Sequence, residues 1–295
     1  MTKADGVGVG GATPRFETTE QRTGALRSVV DEAVSVHRAF GNWLPLLSAI
    51  AVGRALGRPP ALRMQVRHGP TIHTPGGDRS WRTAVECFGR DCYRLATADL
   101  PLAPTVLDIG ANIGGFALAV LASHPQAQVD AYEPSPAALA ALRTNITAND
   151  AQAHVTVHNS AVTGPSKPDT VWLNEQVGDL CTSSVLDQGN TVGVSANRVE
   201  VPALPLSAIL SSYAGDIDLV KMDVEGAEYG IVGETPVELL AKVRRMVVEY
   251  HRVPGRHVHE LAARLQAAGL VWERQEHSAL PGQGLAWWAR PAEDR

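Results

Sequence analysis

The stretch Thr105-Val-Leu-Asp108-Ile-Gly110-Ala-Asn112-Ile-Gly114-Gly115 decides the fold. A short apolar, β-branched run ends in an acid. Its glycines lead into Phe116-Ala-Leu-Ala-Val-Leu-Ala122, spaced like the buried face of a helix. The order is strand, tight turn, helix. Glycine suits such a turn because it tolerates positive φ and lets a ligand approach the backbone, and the helix start beyond it presents unpaired N–H groups. A dinucleotide fingerprint, G-x-G-x-x-G, needs its second glycine to admit a pyrophosphate. Asn112 stands at that position, so a side chain takes the phosphate's place.

An acid two residues before the first glycine, as Asp108 is, suits instead a cofactor with a cationic amino-acid head. The next strand, Gln128-Val-Asp-Ala-Tyr132, ends at Glu133, at the offset where an acid accepts hydrogen bonds from ribose hydroxyls. D-x-G-x-x-x-G followed by a strand ending in Glu resembles the class I methyltransferases that use S-adenosylmethionine. The cofactor contacts expected on that basis are Asp108, Gly110, Asn112, Gly114 and Glu133. Ser160 and Ala161, at the tip of a third strand Val155–Val157, are placed near the adenine.

Composition narrows the field. The 295 residues are 44% hydrophobic with mean hydropathy −0.06, enough to bury a substantial core. A formal net charge of −5 gives no overall electrostatic reason to expect nucleic acid as a partner. Cys87, Cys92 and Cys181 form no C-x-x-C pair, which points to a reducing, cytoplasmic setting. The longest apolar stretch, around Trp43 to Val52, is too short for a bilayer, and Lys3 and Asp5 precede a glycine-rich run where a signal peptide would carry an apolar core. Neither membrane nor nucleic acid is expected as a partner.

Taken in order, residues 1–20 lack periodicity and read as a flexible tail. Residues 21–95 read as an N-terminal extension: two helices broken near Gly41-Asn42, a hairpin from Leu62 to Thr74, and a helix from Trp81 to Leu95. This extension would serve as a cap or a homodimer surface. Glu86, Arg90, Asp91 and Tyr93 could border the cofactor pocket, but surface helices commonly carry such residues and none is nominated for the site. Residues 96–295 alternate strands and helices, which implies a doubly wound α/β sheet with mostly parallel strands. Residues 175–197, punctuated by Gly178, Gly189 and Gly193, read as a long loop that could cover the substrate.

The second motif is Lys221-Met-Asp223-Val-Glu225-Gly-Ala-Glu228. Together with D-I-G-A-N-I-G and Glu133-Pro-Ser-Pro136, it resembles the FkbM family of methyltransferases, over roughly Asp78 to the C-terminus. The resemblance implies a Rossmann-like sheet of the class I methyltransferase type, carrying an N-terminal helical and hairpin extension. It also implies S-adenosylmethionine as cofactor and methylation of a hydroxyl on a small molecule, such as a sugar or nucleoside moiety in natural-product biosynthesis.

Ligands of open α/β sheets sit at the carboxyl ends of the strands, so Asp108, Asp223 and Glu249 should face one crevice. Lys221, inside an apolar strand, needs a partner, with Asp223 or Glu225 nearest in sequence. His251 is the first candidate for general base. Asp223 and Glu249 offer oxygen ligands for Mg²⁺ that would acidify the acceptor hydroxyl. Two other readings are weaker. A nucleic-acid methyltransferase would want a basic, aromatic-interleaved stripe, and a non-catalytic cofactor-binding scaffold would not need four polar residues at the predicted pocket.

Overall fold

The computed structural model describes residues 19–176, 179–186, 197–278 and 280–291. Helix α1 (Thr19–Ala39) begins inside the segment read as a tail, whose first 18 residues lie outside the described part. It breaks before α2 (Trp43–Ala55), as the Gly41-Asn42 pair predicts. Asn42 then mimics a strand: its side chain accepts from Gln65 N at 3.0 Å and donates to Arg63 O at 2.7 Å. That ties the helix junction to the hairpin of β1 (Leu62–Gln65) and β2 (Thr71–Thr74).

The helix expected over residues 81–95 does not run through. After α3 (Trp81–Ala84) the chain makes a π turn, Val85–Gly89, and a 3₁₀ turn, Leu95–Thr97. Between them Asp91 and Arg94 take positive φ (46° and 58°), which no right-handed helix accommodates. The Asp91 carboxylate accepts from Leu95 N and Ala96 N, fixing the bend.

The central domain alternates as expected, through β3 (Thr105–Ile109), α4 (Gly115–Ser123), β4 (Gln128–Tyr132), α5 (Pro136–Ala148) and β5 (Val155–His158). Ser135 caps α5, accepting from Ala138 N, with Pro136 pre-set at the first helical position. Next come β6 (Ala161–Thr163), β7 (Thr170–Gln176), β8 (Asp179–Leu186) and β9 (Asn197–Pro205), which form their own sheet in the order β6-β9-β7-β8. The loop read over residues 175–197 is therefore strand at both ends, and the rest of that segment lies outside the described residues. The chain then returns through α6 (Leu206–Ser212), β10 (Leu219–Asp223), α7 (Glu228–Glu234), α8 (Val237–Leu240), β11 (Arg245–Tyr250), α9 (Val258–Ala267), β12 (Val271–His277) and β13 (Gly284–Ala289).

Seven of these strands form the main sheet, in the order β12-β13-β11-β10-β3-β4-β5. The five from β11 to β5 are parallel, and β13 enters antiparallel between β11 and β12. This is the Rossmann-like, class I methyltransferase layout, with the order reversing at β3 and β10. Alternation along each strand separates two cores. Val106, Leu219, Val247 and Trp287 pack with α4, α5 and the N-terminal helices, while Leu107, Val220, Met222, Val248 and Trp288 pack with α6 to α9. The N-terminal extension thus shares one continuous core with the sheet. Among the described residues, no helix is long and apolar enough to cross a membrane.

Candidate active site

Register decides which side chains meet. β10 sets Lys221 beside Asp108 of β3 and Asp223 beside Glu249 of β11. By alternation all four project from the face that carries α4, and Met222 from the other. The crevice lies at the carboxyl ends of β3, β4, β10 and β11, where the strand order turns.

The glycine turn has the conformation its sequence requires, with φ of +76° at Gly110, +50° at Asn112 and +86° at Gly114. Gly110 N and Ala111 N both donate to Tyr132 O at 3.0 Å. A Cβ on Gly110 would lie 1.8 Å from the carbonyl oxygen of Asp223. The close approach expected of a ligand is thus made by the neighbouring strand tip. Glu133 Oε2 accepts from Asn112 N at 2.7 Å and Oε1 from Ser135 N at 2.8 Å, so this acid holds the turn and the next helix together. Burial lifts its pKa to about 7. Behind the turn, Asn145 donates to Ile113 O (2.8 Å) and His73 O (3.0 Å) and accepts from His73 N (2.7 Å).

Asp108 is fully buried, and burial raises its pKa against the opposing pull of Lys221. Lys221 Nζ, 3.3 Å from Oδ1, is its counter-ion; beyond that ion pair neither oxygen has a hydrogen-bond donor among the described residues. Lys221 Nζ also donates to Gly110 O at 2.6 Å, stands 3.9 Å from Asp223 Oδ2 and lies over the Tyr93 ring. Burial alone would lower its pKa, but Asp108 and Asp223 raise it. Lys221 thus pairs with Asp223 as expected, but its closer carboxylate is Asp108. The reason is that β3, not the following loop, lies alongside it.

The rim beyond Lys221 is acidic. His251 Nε2 is 3.4 Å from Glu225 Oε2 and 3.9 Å from Asp223 Oδ1, and Nδ1 is 3.6 Å from Glu228 Oε1. Burial would lower the imidazole pKa, yet Glu228, Asp223 and Glu225 lift it to about 9. Glu249, partly buried, has its pKa pushed to about 8 by desolvation and by Asp223. Glu228 is fully buried at the start of α7, where its carboxylate accepts from Gly226 N (2.8 Å) and His251 N (2.6 Å). It is a structural anchor as well as an early-helix acid.

The structure brings Asp108, Gly110, Asn112, Gly114 and Glu133 together at the turn and Lys221, Asp223, Glu249 and His251 at the rim. Ser160 and Ala161 sit with the second sheet. Ala161 is buried among Val171, Leu173, Val201 and Ala203, and Ser160 Oγ donates towards Ala161 O and Pro202 O. Sequence reasoning missed Tyr93 and Glu86 as site residues. Tyr93 is buried under Lys221, and Glu86, on the π turn, feels the charges of Asp223 and Lys221. A π turn within a helical pattern often marks a functional site, but nothing in the side-chain spacing reveals one.

Known methyltransferases resemble the chain in sequence. The chain is 31% identical over 188 residues to "Methyltransferase sdnD" of Sordaria araneosa, spanning 56% of this chain and 72% of that one. It is 26% identical over 238 residues to "31-O-demethyl-FK506 methyltransferase FkbM" of Streptomyces tacrolimicus, spanning 70% and 88%. Among solved structures, methyltransferase FkbM from Methylobacillus flagellatus KT aligns with a TM-score of 0.46 at 13% identity, over 90% of this chain and 60% of that one. The methyltransferase FkbM domain itself matches residues 108–270, from the buried acid of β3 to the end of the helical region before β12, which is more than half of the chain. A crevice built on that acid, the glycine turn and the K-M-D-V-E-G-A-E rim thus belongs to a member of the FkbM methyltransferase family.

Proposed function

We propose that the protein moves a methyl group from S-adenosylmethionine to a hydroxyl of a small molecule, such as a sugar or nucleoside moiety in natural-product biosynthesis. The observation that carries this reading is the meeting of two halves across β3 and β10, a glycine turn with buried acids and an acidic rim, bridged by Lys221. The residues present fit the cofactor. Asp108 is a buried carboxylate short of donors, and Glu133 is a buried carboxylate whose proton affinity falls once hydroxyl donors reach it. They complement a nucleoside that carries two ribose hydroxyls and a cationic amino-acid end.

When bound, the cofactor supplies an electrophilic methyl carbon. Everything else falls to the chain. Lys221 pins the Gly110 carbonyl and so sets the height of the turn against β10. Orienting the acceptor hydroxyl in line with that carbon is the largest contribution a site of this kind makes. The hydroxyl proton leaves to the rim, where the carboxylates of Asp223, Glu225 and Glu249 stand with His251. The name of the Streptomyces tacrolimicus relative favours oxygen as the acceptor atom.

Calorimetry with S-adenosylmethionine tests the cofactor, and its failure to bind folded protein removes the methyltransferase reading. Turnover of ¹³C-methyl cofactor with a panel of hydroxylated metabolites tests the atom. The label is expected as a methoxy carbon, and a label on nitrogen or carbon would overturn O-methylation.

A further inference from the structure

The rim has a feature that methyl transfer alone does not require. Asp223, Glu249 and His251 each present one ligand atom, and these atoms lie within 4.8 Å of one another. Donors on a common first-row ion stand roughly 3–4 Å apart, given bonds of about 2.1 Å, so only a small side-chain closure separates this set from ligation. We infer that Asp223, Glu249 and His251 form a one-imidazole, two-carboxylate site for a divalent first-row metal ion such as Mn²⁺.

Three further observations point the same way. Glu249 is partly buried and, among the described residues, makes no hydrogen bond, so its carboxylate is open to a ligand beside Asp223 and His251. Asp223 divides its oxygens, with Oδ2 facing Lys221 and Oδ1 facing His251 Nε2, so one oxygen is already committed to neutralising charge and the other is turned into the group. Glu228 stands behind the imidazole, at 3.6 Å from Nδ1, and is itself fixed by two backbone donors. A carboxylate on the far nitrogen is the usual support of a metal-bound histidine, because it sets the tautomer and the ring orientation.

The donor set also says which ions fit. Carboxylates alone suit Mg²⁺, the ion expected from Asp223 and Glu249, whereas an added imidazole shifts preference to first-row transition ions. Such an ion at the rim would hold the acceptor's oxygen and ease loss of its proton. That role rests on the proposed methyl transfer; the existence of the site does not.

The test uses the full chain after chelator treatment, titrated with Mn²⁺ and followed by electron paramagnetic resonance. One Mn²⁺ per chain is expected, with nitrogen modulation in the pulsed spectrum from His251 and displacement by Mg²⁺ only in large excess. His251→Ala should abolish the nitrogen signal, and Glu228→Gln should weaken binding by about 10–100-fold. His259→Ala, on α9 against Trp272, should change neither. Failure of the wild-type chain to retain Mn²⁺ while it still binds S-adenosylmethionine would overturn the metal site and leave the methyltransferase reading standing. Mn²⁺ bound without nitrogen modulation would also overturn it, whether or not the variants fold.

Discussion

The two halves of the crevice are held by different means. On the β3–β4 side, backbone amides answer Glu133 at 2.7–2.8 Å and the turn hangs from Tyr132 O. On the β10–β11 side backbone amides hold Glu228 alone, while the acids facing His251 stand off at 3.4–3.9 Å and Glu249, among the described residues, makes no hydrogen bond. Short bonds to backbone fix geometry; looser ion pairs leave a region whose protons and counter-ions depend on what enters it. The first half is organised for a ligand of known shape, the second for chemistry.

The largest expected effect tests the rigid half. Gly110→Ala meets both a positive φ and the Asp223 carbonyl, and backbone cannot yield as a side chain can. A loss of more than about 4 kcal/mol is expected in urea unfolding, among the exceptional values for a point change. A loss under about 1 kcal/mol would show that the strand tips are not locked together.

Next comes the acid that ties the turn. Glu133 has a folded pKa of about 7 against an ordinary 4.5, so the ligand-free protein loses stability as pH rises from the lower value through the higher. Ribose hydroxyls favour the ionised form. Cofactor affinity should therefore climb about tenfold from about pH 6 to pH 8 and level off above. Lys221 and Asp108 share this surrounding with opposite effects, so the measurement is the difference between wild type and Glu133→Gln. Equal slopes would detach Glu133 from the cofactor.

The smallest effect has the opposite sign and tests the loose half. Glu249→Gln removes a partly buried carboxylate that faces Asp223 across the β10–β11 register. A gain of about 1 kcal/mol in stability is expected, with turnover falling by at least about 100-fold. Stability lost together with turnover would make Glu249 a structural residue and erase the contrast between the halves.

Much of this architecture is legible in the sequence. Strands β3 to β5 and β10 to β13 announce themselves through apolar runs ending in acids or turn residues, and Asp108, Asp223 and Glu249 fall on one side by alternation alone. β8 is not legible, because a Thr-Ser-Ser run between glycines carries loop chemistry and its pairing with β7 is a long-range fact. The π turn that places Glu86 is equally silent, since its side-chain spacing reads as ordinary helix. The acidic surrounding of His251 could not be read either. It depends on Glu228, 23 residues earlier, folding back onto the same ring. Lys221 advertised the need for a partner, but only the strand order names Asp108.

Asn145 carries a practical consequence. One amide group grips the hairpin at His73 and the loop at Ile113, so the N-terminal portion acts as a buttress for the floor on which the nucleoside would rest. An engineer who trims this enzyme to the familiar catalytic half would saw through that brace. The excised piece should be recovered as a sagging scaffold with weakened grip on its cosubstrate, and donor and recipient chains in any domain graft should be joined upstream of the hairpin.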